Sequence, residues 1–188
     1  ALRAGLRFAR HSLPLQAAIM RGASFMLFAS ASWALLPLVA RSLPDSGPQS
    51  FGMLVASIGI GAVTGAFILP YVRRRVSPDA LVAGASILYA VALFGLAFMS
   101  NFVLLCLVMA LSGIAWIAIL STFQVAAQMA LPDWVRSRGL AVFMAIFMGA
   151  MAAGSLLWGK VAQLWGIHAA LGIAACGTLL VIVVTRHI

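Results

Sequence analysis

The stretch ALVAGASILYAVALFGLAFMSNFVLLCLVMALSGIAWIAILSTFQVAAQMALP, residues 80–132, runs for about fifty residues without an Asp, Glu, Lys or Arg. About 20 apolar residues suffice for a helix to cross a bilayer, so this run predicts two spans. The polar pair Ser100-Asn101 marks the fold-back between them. The rest of the chain has the same character: 64% of its 188 residues are hydrophobic, 8% are charged, and the mean hydropathy is +1.14. A soluble domain carries about a quarter charged residues because its surface must face water. This chain has too few polar groups for that, and its solvent is lipid.

Working outward, further charge-free runs extend from Gly22 to Ala40, Ser46 to Val72, Gly139 to Gly159 and Val161 to Thr185. Each has about the length of one span. The expectation is an all-α membrane protein with six transmembrane helices, at about 15–40, 50–72, 80–100, 102–130, 140–164 and 167–185. A cytoplasmic N-terminal or linker segment, residues 1–14, precedes the six-helix domain, residues 15–188. Barrel strands are excluded because the apolar runs do not alternate with period two.

The arginines set the orientation. With six helices both termini lie on one side, whose loops and ends hold Arg3, Arg7, Arg10, Arg73, Arg74, Arg75, Arg136, Arg138 and Arg186. The other side holds Arg41 and, near the end of the fifth helix, Lys160. Cytoplasmic loops retain Lys and Arg, so both termini are expected in the cytoplasm. The same distribution explains the pI near 11.6 and the net charge of +9. These cations are spread where anionic lipid headgroups attract them, and no nucleic-acid partner is expected.

The segment SIGIGAVTGAFILPYVRRRVSPD, residues 57–79, imitates a dinucleotide fingerprint through Gly59, Gly61 and Gly65. That fingerprint needs a strand before it and a helix after it. Here the glycines sit inside a span, where Gly61 and Gly65 let another helix approach closely. Arg73, Arg74 and Arg75 mark the emergence into the cytoplasm. Ser77 is placed to cap the next helix, with Pro78 in its first turn and Asp79 favourable to its dipole.

A repeat is also present. Leu43-Pro44-Asp45 recurs as Leu131-Pro132-Asp133, and the same offset lays Gly61 on Gly149 and Gly65 on Ala153. Both following helices therefore carry a small-xxx-small pair, and the two matched turns fall on opposite sides of the membrane. Three helices followed by three in inverted orientation is a secondary-transporter architecture.

The run AAQMALPDWVRSRGLAVF, residues 126–143, followed by GSLLWGKVAQLWG, resembles the transmembrane secretion effector (enterobactin-exporter-like) branch of the major facilitator superfamily. ASWALLPLVARSLP and GIGAVTGAFILPYVRRRVSPDAL are similar to the same branch, and the loop from Pro132 to Arg138 is the most specific piece. The resemblance implies one half of the major facilitator fold, family helices seven to twelve, in a bacterial inner membrane. It also implies an N-terminal six-helix half as partner. Two departures stand out. The superfamily's usual cytoplasmic loop places an Asp among its basic residues, whereas here the loop is Arg73-Arg74-Arg75. The first six helices are absent and the chain opens on Ala1, as a piece of a longer protein would.

An enzyme is not expected. The acids Asp45, Asp79 and Asp133 are far apart in sequence, and none stands near a His at ligand spacing. His11, His168 and His187 lie at helix or chain ends. Cys106 and Cys176 lie in apolar spans as small core residues rather than a redox or zinc pair. No nucleophile, base and orienting group can be assembled, and no metal or cofactor is expected.

Polar residues inside spans are the candidates for function. Ser112, Trp116, Gln124 and Gln128 fall in steps of four along the fourth helix, with Leu120 completing the row, which keeps them near one face. They form either a cavity wall for an amphiphilic substrate or interhelical hydrogen-bonding glue. Arg21 lies about 10 Å into the first helix. It either snorkels to the headgroups or faces the cavity to pair with an acid or an anionic substrate. Ser30 and Trp33 join it as cavity candidates. Lys160, between Trp158 and Trp165, reads as a snorkelling anchor in an aromatic belt or as part of an exit path. Arg73, Arg74, Arg75, Asp133, Arg136 and Arg138 are the cytoplasmic topology or gating group.

Two functions fit. One is the C-terminal half of a secondary-active exporter, or antiporter, of siderophore-like or drug-like amphiphiles by alternating access. The other is a transport-inactive six-helix subunit acting as scaffold in a larger membrane complex.

Overall fold

The computed structural model describes residues 12–43 and 48–185. Arg3, Arg7, Arg10, His11, Pro44, Asp45, Arg186 and His187, used in the orientation and repeat arguments, lie outside the described residues. The described chain forms six helices: α1 Leu13–Ser42, α2 Pro48–Arg73, α3 Pro78–Phe98, α4 Phe102–Met129, α5 Arg136–Trp165 and α6 Ile167–Thr185. All six are long and apolar enough to cross a membrane, and the described residues contain no strand.

The helix ends follow local chemistry. At α3, the Ser77 hydroxyl accepts from the Ala80 amide at 3.3 Å, Pro78 opens the first turn and Asp79 follows. At α4, the Asn101 side chain accepts from Val103 N at 3.0 Å and Leu104 N at 3.2 Å. Asn101 thus does more than mark a fold-back: it satisfies donors that a helix start leaves orphaned. α5 begins at Arg136, about one turn before the apolar run, and Arg136 pairs with Asp133 at 2.6 Å. A single residue, Gly166 with φ of 86°, joins α5 to α6. A side chain is strained at such a φ, so glycine permits this one-residue corner.

In lipid there is little hydrophobic drive between helices, and association relies on close packing of small residues and interhelical hydrogen bonds. The bundle is built that way around two tight crossings, α2 with α4 and α1 with α5. At the first, a Cβ on Gly61 would stand 2.6 Å from the Ala110 carbonyl carbon, and one on Gly113 would stand 2.9 Å from the Ala62 amide nitrogen. The two backbones are in direct contact. At the second crossing, a Cβ on Gly154 would strike the Leu27 carbonyl and the Ser30 hydroxyl. The Trp158 indole N–H donates to that Leu27 carbonyl at 2.7 Å, and the stacked rings of Phe143 and Phe147 lie against Gly22.

Exchanging α1 with α4, α2 with α5 and α3 with α6 carries nearly every helix contact onto another. The α1–α5 crossing maps onto α4–α2, α1–α6 onto α4–α3, and α3–α6 onto itself; only α1–α3 lacks a counterpart. The fold is a 3+3 inverted repeat. The small pairs do not follow the sequence offset in full, however. Gly65 packs on Ile114 and Ile117 of α4, but Gly149 has nothing within 4 Å and Ala153 is exposed. The face of α5 turned to α1 runs through Phe143, Phe147, Gly154 and Trp158, so the close approach falls at Gly154, one position beyond Ala153. That single step rotates the contact by about 100° around the helix.

The helices with the most open faces are α2 and α5. Gly52, Ala56 and Gly59 on α2, and Ala145, Gly149, Ala152 and Ala153 on α5, are exposed. By contrast α3, although sparse in polar groups, is buried along one side against α1, α4 and α6.

Candidate transport surface

The site is built where α1 and α4, the helices exchanged by the internal symmetry, come together with α3. Trp33 of α1 and Trp116 of α4 meet edge to face, centroids 5.8 Å apart and planes at 64°. Trp116 also lies 6.5 Å from Phe25 and 6.0 Å from Tyr89, and Phe25 meets Tyr89 at 5.5 Å. Off-centre arrangements like these suit the ring quadrupoles and add stability beyond burial. Tyr89 is the fixed corner of this cluster: its hydroxyl shares a 2.5 Å hydrogen bond with Ser32 and donates to the Ala29 carbonyl at 3.1 Å. Phe25 and Tyr89 are buried, whereas Trp33 and Trp116 are half-buried. Among the described residues neither of those two indole N–H groups has an acceptor.

Pro37, one turn beyond Trp33, lies inside α1. Having no N–H, it cannot pair with the Trp33 carbonyl four residues earlier. Trp33 therefore brings an under-used backbone acceptor as well as a free donor.

The remaining candidates divide. Ser30 and Ser112 are buried, and their hydroxyls donate back to their own helices, Ser30 to Leu27 O at 2.9 Å and Ser112 to Met109 O at 2.7 Å. Both sit within packed contacts and not on an open wall. Gln124 is half-buried and its amide donates to the Met144 sulfur of α5 at 3.9 Å, while Gln128 is exposed. The step-of-four row thus winds about α4: Trp116 faces α1 and α3, and Gln124 faces α5. Four residues advance 400°, so each step drifts about 40° around the helix.

Arg21 neither snorkels freely nor faces the aromatic cluster. Its Nη1 pairs with Asp79 at the start of α3 at 2.6 Å, and its Nε and Nη2 donate to the Thr185 carbonyl at 2.9 and 2.6 Å. One guanidinium ties α1, α3 and the end of α6. Arg73 donates to the hydroxyls of Ser121 and Thr122 on α4 at 3.0 and 3.3 Å, while Arg74, Arg75 and Arg138 are exposed. Lys160 is also exposed, and Trp158 turns inward to Leu27 and not to a headgroup belt. Cys106 and Cys176 are free thiols, and no group of three His, Cys, Asp or Glu is gathered among the described residues.

Sequence reasoning passed over Tyr89, Gly113, Gly154 and the partner of Arg21. A lone Tyr in an otherwise apolar span was a usable signal, because a buried hydroxyl requires a partner.

No curated protein matches the chain. The family model described as transmembrane secretion effector matches residues 1–188, the whole length. With six membrane-length helices in an inverted repeat, the chain belongs to the transmembrane secretion effector family of major facilitator transporters.

Proposed function

We propose that this chain is the C-terminal six-helix half of a secondary-active exporter that moves small amphiphilic molecules, siderophore-like or drug-like, by alternating access. The observation that carries the reading is the pair of open small-residue faces on α2 and α5. Gly52, Gly59 and Gly149 each have free space where a Cβ would stand. Such faces suit close approach by further helices, whereas lipid tails gain nothing from them. The partner is an N-terminal six-helix half, and cargo passes between the halves along Trp33, Trp116, Gln124 and Gln128. Gly61 and Gly65 act as packing residues, and Gly149 and Ala153 belong to the face between halves.

Both termini lie in the cytoplasm of a bacterial inner membrane, with Arg73, Arg74, Arg75, Asp133, Arg136 and Arg138 anchoring the cytoplasmic ends. The described spans hold no carboxylate apart from Asp79 in the first turn of α3. Proton coupling, which needs a titrating group within the membrane, is therefore supplied from the other half. The transport-inactive scaffold reading lacks an observation of its own.

The experiment is efflux from proteoliposomes of the full-length protein, with a panel of catecholate, macrolide and cationic dye substrates. Trp116→Ala is expected to lower efflux of at least one of them tenfold or more with unchanged expression. No efflux of any member, together with no change in tryptophan fluorescence on adding them, would count against the exporter and for the scaffold.

A further inference from the structure

A cavity of about 640 Å³ lies between α1, α3 and α6, away from the Trp33–Trp116 contact, with Phe123 of α4 in its wall. Its mouth is formed by Arg21, Ser77, Asp79 and Thr185, and its walls by Phe25, Val82, Ile87, Val181 and Ile182. α3 has 21 residues, about 31 Å at 1.5 Å per residue, which matches the roughly 30 Å of a bilayer's hydrocarbon core. The mouth, at the first turn of α3, therefore lies level with the lipid headgroups. From Asp79 to Ile87 is eight residues, so the cavity follows α3 for about 12 Å, most of the depth of one leaflet. Ile87, on its wall, is itself 49% exposed, so the slot has a side open to lipid.

The groups held in place at the mouth with bonds to spare are donors. A guanidinium has five N–H groups. Arg21 gives its Nε–H and one Nη2–H to the Thr185 carbonyl and one Nη1–H to Asp79, which leaves one N–H on each of Nη1 and Nη2. The Ser77 hydroxyl accepts from the Ala80 amide, and its own proton is given to no partner among the described residues. The positive end of the α3 dipole opens at the same place. The Asp79 carboxylate shares the mouth, but its side chain is 77% exposed and one oxygen is already paired with Arg21, so water and the guanidinium meet its charge. An acceptor satisfies the remaining donors, and an ionised acceptor does so most strongly. Below the mouth the walls are apolar; water gains little there, and an alkyl chain fills them.

We propose that this cavity is a phospholipid site: one acyl chain of the adjacent leaflet lies along α3, and the lipid phosphate accepts from Arg21 Nη1, Arg21 Nη2 and Ser77 Oγ. The choice of a phospholipid rests on register, because the donors stand at the headgroup level and the apolar slot runs at the depth of the chains. The proposal requires a membrane-embedded chain but not transport activity, so its failure is separable from failure of the exporter reading.

The test uses the full-length protein, delipidated in a non-ionic detergent, with lipid binding read by native mass spectrometry. The probes are dioleoyl phosphatidylethanolamine, dioleoyl phosphatidylglycerol and dioleoylglycerol, which share their chains; only the first two carry a phosphate. One copy of either phospholipid is expected to bind at least tenfold tighter than dioleoylglycerol, and the two phospholipids within about threefold of each other. Ala83→Phe, which fills the slot and leaves the Arg21–Asp79 pair in place, is expected to lower phospholipid binding at least tenfold. Leu180→Phe, on α6 outside the slot and 61% exposed, is expected to leave it unchanged. The comparison of the three lipids needs no variant and stands even where Ala83→Phe fails to fold. Dioleoylglycerol binding as tightly as the phospholipids, or equal effects of Ala83→Phe and Leu180→Phe, would overturn the proposal. A tenfold preference between the two phospholipids would overturn the phosphate as the group recognised.

Discussion

Replacing Gly61 by Ala is the sharpest test of the helix packing. A Cβ built there falls 2.6 Å from the Ala110 carbonyl carbon and 2.9 Å from its Cα, and closer still to the oxygen. These are backbone atoms of α4, which cannot rotate aside as a side chain can. To restore ordinary contact, α2 and α4 must separate by about 1 Å at a crossing where Gly113 also meets α2 backbone. Overpacking a tight site costs about 1–3 kcal/mol, and rigid obstacles place Gly61→Ala at the upper end. About 3 kcal/mol is roughly a hundredfold in the folded-to-unfolded ratio. Gly84, inside α3 and away from the open faces of α2 and α5, has nothing within 4 Å. Gly84→Ala meets no obstacle and gains helix propensity, so it should be neutral or stabilising by about 0.5–1 kcal/mol. Both variants add one methyl group inside one helix, so their difference isolates the crossing. The assay is reversible unfolding in mixed micelles, followed by helical circular dichroism as denaturing detergent is raised. Equal midpoints for Gly61→Ala and Gly84→Ala would refute the packing argument.

Three other outcomes follow from the same contacts. Trp158→Phe keeps a ring at the α1–α5 crossing but loses the N–H bonded to Leu27 O; a loss of about 1–2 kcal/mol is expected in the same unfolding assay. Arg21→Ala should speed amide exchange over the last turn of α6, because the Thr185 carbonyl loses both guanidinium bonds. Asp79→Asn, which removes an ion pair whose acid is largely exposed, should cost under about 1 kcal/mol and leave that exchange nearly unchanged. Trp33→Phe should preserve the aromatic contact and fold stability while lowering efflux of acceptor-bearing cargo several-fold; unchanged efflux across the panel would remove Trp33 from the cargo path.

What could be read from the sequence was whatever depends on composition and on one helix at a time. The charge-free run 80–132 is forced into two spans by its length alone, and Ser77 announces a helix start through local chemistry. The existence of a repeat was legible in the two Leu-Pro-Asp turns, yet its packing was not. Which of Ala153 and Gly154 meets α1 is a matter of about 100° of helix rotation, and the choice rests on Phe143, Phe147 and Trp158 sharing a face with Gly154. The candidate surface shows the same limit. Trp33 and Trp116 are costly, amphipathic residues within spans and were visible as such, but their contact joins two helices far apart in sequence. Steps of four placed Ser112, Trp116 and Gln124 on one nominal face, whereas the accumulated drift turns Gln124 toward α5. Arg21 was recognised as anomalous; its partners, Asp79 and the end of α6, are 58 and 164 residues away, where no local pattern reaches.

The central claim is that the open faces of α2 and α5 are covered by a second six-helix half. The most direct measurement is the mass of the protein extracted from its own membrane, taken intact by native mass spectrometry. The account predicts a particle of about twice the 19.7 kDa of this chain, or larger, holding twelve spans. A monomeric species near 19.7 kDa with no second helical unit would contradict it.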